Sequence, residues 1–86
     1  MIRSIEQFTR WLAVEKGYSA HTVSGYQRDL IDFRSNLKEQ TAVGSITGAE
    51  IRAYVASLFG RNSAATVARK LSALRTFFRY MIRQNV

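Results

Sequence analysis

The chain contains no cysteine and no proline. Without cysteine there is no disulfide, no thiolate metal site and no thiol nucleophile, which fits a protein of the reducing cytoplasm. Without proline nothing removes an amide donor from a helix interior. A single histidine, His21, leaves the sequence without the ligands of a metal site. A lone imidazole beside a helix start reads as a surface or capping residue. Neither a G-x-G-x-x-G loop nor a P-loop is present. No stretch approaches the roughly 18 consecutive apolar residues that cross a bilayer, and the opening Met1-Ile2-Arg3-Ser4-Ile5-Glu6 has no apolar run of the signal-peptide kind. No membrane partner is expected. The nearest thing to a catalytic carboxylate pair is Asp29 with Asp32, on a helix that also carries Arg28. That arrangement reads as an exposed acidic turn and not as a general acid with its base. No catalytic residue, metal or cofactor is therefore expected.

What is present suffices for one small folded domain. Apolar residues make up 47% of the 86, aromatics 12%, so the composition is not that of a disordered chain. The net charge of +7 is unevenly placed. Residues 1–50 hold six basic residues and all six acids, whereas residues 51–86 hold Arg52, Arg61, Arg69, Lys70, Arg75, Arg79 and Arg83 and no acid. A solvated surface usually mixes signs. An excess confined to one stretch points to a polyanion.

Periodicity and punctuation predict four helices and no strand. The first runs from about Ser4 to Lys16 with Ile5, Phe8, Trp11 and Leu12 facing inward, and stops before Gly17. The second follows Ser19, a good N-cap, and carries Val23, Tyr26, Leu30, Phe33 and Leu37 as its apolar stripe. Gly25 inside that helix costs roughly 1 kcal/mol against alanine, which marks either a defect or a close approach to the backbone. A connection from about Glu39 to Ile46 leads to Thr47-Gly48-Ala49-Glu50, a capping box, and to a third helix bearing Ile51, Tyr54, Val55, Leu58 and Phe59 up to Gly60. The fourth runs from about Ala64 past Arg83, with Val67, Leu71, Leu74, Phe78, Met81 and Ile82 as its stripe. Arg69, Ser72, Ala73, Thr76, Arg79 and Arg83 fall on the face opposite. Tyr18, Phe77 and Tyr80 read as core or core margin, not as base-stacking platforms. The predicted core is Phe8, Leu12, Val23, Leu30, Phe33, Tyr54, Leu58, Leu71, Leu74 and Phe78.

The second and fourth helices open with short polar residues and no acid: Ser19, His21, Thr22 and Ser24 on one, Asn62, Ser63 and Thr66 on the other. Helix N-termini present free N–H groups and a partial positive charge, which suits phosphate. Arg69 sits one to two turns into the fourth helix, where an inserted helix reaches a base edge. Arginine fits guanine O6 and N7, and Lys70 suits phosphate or base. Two other classes stay open: a stand-alone helical DNA-binding regulator or accessory protein, and a protein-interaction or membrane-surface module using the basic fourth helix. The last needs an uncovered apolar face, and the four stripes look mutually satisfying.

Several segments together resemble the N-terminal core-binding, SAM-like domain of tyrosine recombinases, in the style of Xer recombinases and phage integrases. They are Phe8-Thr9-Arg10-Trp11-Leu12, Lys16-Gly17-Tyr18-Ser19-Ala20-His21-Thr22-Val23 with Tyr26, Asp29-Leu30 and Phe33, and the run from Thr66 to Tyr80. The resemblance implies an all-α fold, a four-helix SAM-like orthogonal bundle forming a single domain over residues 1–86, which grips duplex DNA as half of a clamp. It places the DNA contacts on His21, Thr22, Ser24, Gly25 and Arg28 of the second helix and on Ser63, Thr66, Arg69, Lys70 and Ala73 of the fourth. Arg83, some four turns beyond Arg69, is expected where helix and groove have diverged. The resemblance also implies that strand breaking and rejoining belong to a C-terminal catalytic domain of the same protein, outside this chain. That domain and other recombinase protomers on DNA would be its protein partners.

Overall fold

A computed structural model describes residues 1–37 and 42–84. Four helices account for most of them: α1 (Ile2–Val14), α2 (Ala20–Ser35), α3 (Gly48–Phe59) and α4 (Ala64–Arg83), with a 3-10 turn at Val43–Ser45 ahead of α3. No strand occurs among the described residues. Residues 39–41 of the expected connection from Glu39 to Ile46 lie outside them.

The boundaries follow from local chemistry. Ser19 caps α2 by accepting the Thr22 amide at 3.2 Å, and its hydroxyl donates to the Thr22 hydroxyl at 3.0 Å. Ser63 repeats this at the start of α4, accepting the Thr66 amide at 3.2 Å and donating to the Thr66 hydroxyl at 3.1 Å. Thr47 and Glu50 close the capping box of α3 reciprocally, each side chain receiving the other's amide at 3.1 Å. Helix α1 ends two residues before the predicted Lys16. Gly17 takes a positive φ of 66°, the left-handed conformation that glycine adopts without strain, and this reverses the chain toward α2.

An aromatic chain crosses all four helices. Phe8 of α1 lies fully buried, with its ring centroid 5.4 Å from Phe77 and from Tyr80 of α4 and 5.9 Å from Tyr26 of α2. Phe77 meets Phe78 at 5.4 Å, Phe78 meets Phe33 of α2 at 6.1 Å, and Phe33 meets Tyr54 of α3 at 5.0 Å. Most of these pairs are edge-on, the arrangement that aromatic quadrupoles favour. Of the predicted core, Phe8, Leu12, Leu30, Phe33, Tyr54, Leu58 and Leu74 are buried, while Val23, Leu71 and Phe78 are half-buried against them.

The largest departure from the predicted stripes is in α4. Its buried residues are Val67, Ala73, Leu74, Phe77, Tyr80 and Met81, while Ile82 is 72% exposed. At 3.6 residues per turn this arc is turned by roughly 80° from the stripe that hydrophobicity alone draws. Helix α4 packs against α1, α2 and α3 at once, so its buried arc is set by three neighbours and takes in Phe77 and Tyr80.

The rotation brings Arg69 and Lys70 over α2, where Asp29 waits. Asp29 is only 5% exposed, and Arg69 grips it with two parallel bonds, Nε to Oδ2 at 3.1 Å and Nη2 to Oδ1 at 2.9 Å. Lys70 donates to Asp29 Oδ1 and to Asp32 Oδ2, both at 3.3 Å. The Tyr54 hydroxyl donates to Asp32 Oδ2 at 2.6 Å. The expected exposed acidic turn is thus a polar tie joining α2, α3 and α4. Its residues satisfy one another, and no buried side-chain polar atom among the described residues lacks a partner. The Tyr54 hydroxyl is the main cause holding the Asp32 carboxyl below its ordinary 3.8, against burial, with Lys70 contributing next. Burial, and then the Asp32 carboxylate, push the Tyr54 phenol well above its ordinary value.

Two predictions follow from this packing. Phe77→Ala should cost roughly 3–5 kcal/mol by the large-to-small rule, and Leu71→Ala less than half as much. Denaturant titration checks the order, and equal losses would place the core on the hydrophobic stripe instead. The second concerns pH. Asp32 has a lowered value in the folded chain, so the unfolded chain binds more protons as the pH falls below the ordinary carboxylate range. The stability this contributes is complete above that range and is lost as the pH drops through the folded value. Tyr54→Phe should therefore cost about 1.5 kcal/mol at neutral pH, with a gap to the parent chain that narrows between pH 5 and pH 3. A gap constant with pH would remove Tyr54 from the stabilisation of that carboxylate.

Candidate nucleic-acid interface

The first three turns of α2 and the second and third turns of α4 face each other across an open cleft of about 280 Å³. From α2 it is lined by His21, Thr22, Gly25 and Arg28, with Tyr26 and Asp29. Arg69, Ser72 and Ala73 line it from α4. Six of the ten residues expected to contact DNA thus meet in one place. Ser24 is exposed on α2 beside the cleft, and Ser63 and Thr66 stand at the opening of α4, engaged with each other as cap and partner.

Each cleft residue is positioned by something the sequence encodes nearby. The Ser19 cap starts α2 with no acid in its first turn, and the Ser63 cap does the same for α4. His21 and Thr22 therefore project from a helix end with its partial positive charge unopposed. Arg28 is exposed, and no carboxylate approaches it within 4.0 Å among the described residues. Gly25 leaves the backbone of α2 bare on the cleft wall. A Cβ added there meets no atom within 4 Å, so internal packing does not require glycine at this position.

Arg69 does not stand opposite the buried face as its spacing suggests. It rises from the edge of that face, and Asp29 holds two of its nitrogens. The hydrogen bonds that Arg69 donates to Asp29, and then the charge of that carboxylate, raise the guanidinium above its ordinary value. The side chain nonetheless remains 61% exposed, with Nη1 free of the Asp29 grip. A carboxylate behind a guanidinium fixes the plane of its fork, here on a residue that lines the cleft.

Two expected contact residues are placed otherwise. Lys70 is 12% exposed, and its ammonium is shared between Asp29 and Asp32, so it is part of the tie between helices and not a cation turned outward. Ala73 is 3% exposed and forms the floor of the cleft, because the buried arc of α4 includes it. Two residues that matter were not among those expected. Ser72 lines the cleft. Asp29 organises Arg69, and its signal was present in the sequence: it lies one turn from Phe33 and from Tyr26, on the inward side of α2, where a carboxylate needs a cation. Among the described residues no cluster of three or more histidine, cysteine or carboxylate side chains could hold a metal ion, and no helix is long and apolar enough to cross a membrane.

Residues 5–85 match the family model described as phage integrase, N-terminal SAM-like domain. The chain is 40% identical over 84 residues to a tyrosine recombinase XerC of Listeria monocytogenes, covering 94% of this chain and 28% of that protein. It is 42% identical over 86 residues to a tyrosine recombinase XerC of Alcanivorax borkumensis, covering 99% and 28%. The corresponding protein of Myxococcus xanthus is 37% identical over 84 residues, covering 95% and 28%. The chain therefore spans less than a third of the length of these relatives. No solved structure matches it. Four helices with a family match over nearly the whole chain leave one assignment: the chain belongs to the SAM-like N-terminal domain family of the phage integrases and tyrosine recombinases.

Proposed function

We propose that residues 1–86 form a DNA-binding domain that holds duplex DNA against the α2–α4 face, within a tyrosine recombinase whose other parts break and rejoin strands. The observation that carries this reading is the cleft itself. His21, Thr22, Gly25 and Arg28 confront Arg69 and Ser72 there, and Asp29, the only carboxylate lining it among the described residues, is already occupied by two cations. Such a surface has donors for phosphate oxygens and nothing to repel them. Thr22, Ser24, Ser63 and Thr66 supply hydroxyls at two helix starts. Arg28 and the held fork of Arg69 supply guanidinium groups for phosphate or for guanine O6 and N7. Gly25 lets a strand come close to the α2 backbone. Lys70 and Ala73 serve the same surface indirectly, one by holding Arg69's anchor in place and the other by setting the depth of the cleft. The protein partners in this reading are the rest of the recombinase and further protomers on the same DNA, in the cytoplasm where that DNA lies.

The tests separate specific contact from bulk charge. Duplex affinity measured by fluorescence anisotropy should fall with salt at a log–log slope of roughly −4 to −5, as expected for about four to six engaged phosphates. Arg28→Ala should weaken binding by roughly 1–3 kcal/mol without loss of stability, whereas Arg52→Ala on α3 should cost little. Gly25→Ala should move the two properties in opposite directions, stabilising the fold by about 0.5–1 kcal/mol and weakening DNA binding. Binding unchanged by Gly25→Ala, or equal losses for Arg28 and Arg52, would remove the support for this face. Absence of binding at low salt would sink the DNA reading altogether.

A further inference from the structure

A second basic cleft lies at the other end of α4, and the cleft holding Arg69 does not account for it. Past Ala73 the outward face of α4 continues through Thr76 and Arg79 to Arg83, so the helix carries polar and basic groups for about 21 Å from Arg69 onward. The end of α1 forms the facing wall. Thr76, Arg79, Ile82 and Arg83 of α4 meet Trp11, Lys16 and Tyr18 there, around an open cleft of about 520 Å³.

Trp11 organises the cations. The Arg83 guanidinium lies 5.1 Å from the centroid of its ring, and the Lys16 ammonium lies 5.4 Å away. Both contacts fall within the range in which an aromatic face attracts a cation. No carboxylate lines this cleft, and none among the described residues lies within 4.0 Å of Lys16, Arg79 or Arg83. Glu15, next to Lys16, lines a separate cleft with Arg10 and Gln84 on the other side of Trp11. Three like charges are therefore gathered around one concavity without a counter-charge among the described residues, and the Tyr18 hydroxyl is at hand as a donor. Like charges at close range repel, and an anion between them relieves this.

We propose that Lys16, Arg79 and Arg83 form a second phosphate site, which takes the sugar–phosphate backbone of the same duplex beyond the α2–α4 cleft. The site rests on the DNA reading above and extends it. Arg83, expected from its distance to lie off the DNA, becomes an end point of a basic track that begins at Arg69. The cluster has no fork held by a carboxylate among the described residues. Its contribution is affinity and register, not base discrimination.

Trp11 is the only tryptophan in the chain, so its emission reports on the surroundings of the ring that Lys16 and Arg83 flank. The experiment follows the 86-residue chain with a labelled duplex by anisotropy across a salt series, and by Trp11 fluorescence in parallel. Folding of each variant is checked by circular dichroism. Saturating duplex should change Trp11 emission, and salt should reverse the change in step with the anisotropy. Lys16→Gln and Arg79→Gln should each make the salt slope shallower by about 1 and lower affinity equally on matched and unrelated sequences. Arg79→Lys, which keeps the charge, should restore the slope. Arg52→Gln, the same loss of charge on α3, should leave it unchanged. If duplex binds by anisotropy while Trp11 emission and the slopes of the Lys16 and Arg79 variants stay as in the parent, the second site is wrong and the α2–α4 reading survives. If anisotropy shows no binding at low salt, both fail together.

Discussion

Asp29 is the residue on which the arrangement turns. A carboxylate on the inward side of α2 is costly to bury alone, because water is the only partner as good as a positively charged donor. It is tolerated because α4 supplies Arg69 and Lys70 to it at 2.9 and 3.3 Å. This requirement fixes how α4 is turned about its own axis against α2. Lys70 passes the constraint to Asp32, and Asp32 passes it to the Tyr54 hydroxyl on α3. The same tyrosine ring stands at the end of the aromatic chain that starts from Phe8. Apolar packing and polar tie thus specify the same orientation of three helices, and agreement between levels is what gives a sequence one structure.

The tie also changes where positive charge sits. Along the sequence the excess lies wholly in residues 51–86. In the folded chain two of those cations, Arg69 and Lys70, are matched by acids of α2, while Arg28 and Lys16 from the balanced half have no carboxylate within 4.0 Å among the described residues. The unmatched cations accordingly come from both halves, and four of them, Arg28, Lys16, Arg79 and Arg83, line the two clefts beside α4. For a DNA partner the spatial pattern matters more than the linear one, since an arginine held by a carboxylate contributes direction where a free one contributes charge.

Much of this was legible in the sequence. The caps at Ser19 and Thr47 announce themselves by residue type and spacing, and both form. Helix α1 buries Ile5, Phe8 and Leu12 as its periodicity draws, and of the α2 stripe Leu30 and Phe33 are buried while Val23, Tyr26 and Leu37 are half-buried. Helix α4 departs from its stripe, since periodicity describes one strip and three neighbours bury a wide arc; that is why Phe77, Tyr80 and Ala73 go inside while Ile82 stays out. The error in its rotation carried into the site. It made Arg69 and Lys70 look free, when their partner lies 40 residues away on another helix and no local pattern reveals such a pair. Residues near helix starts, His21 and Thr22 among them, were easier to place, because a cap fixes the first turn by itself.

Asp29 sets α2 against α4, and their facing turns make the surface that we propose binds DNA. Amide chemical shifts of the isotope-labelled chain, followed while a duplex is added, test this most directly. The shifts should move for residues 19–28 and 63–72, and for the Lys16, Arg79 and Arg83 cluster beyond them. The solvent side of α3, with Ala53, Ala56 and Phe59, should stay still, and Asp29→Asn should scatter the response of α4 while the helices persist. Shifts spread evenly over every basic residue, or centred on α3, would contradict it.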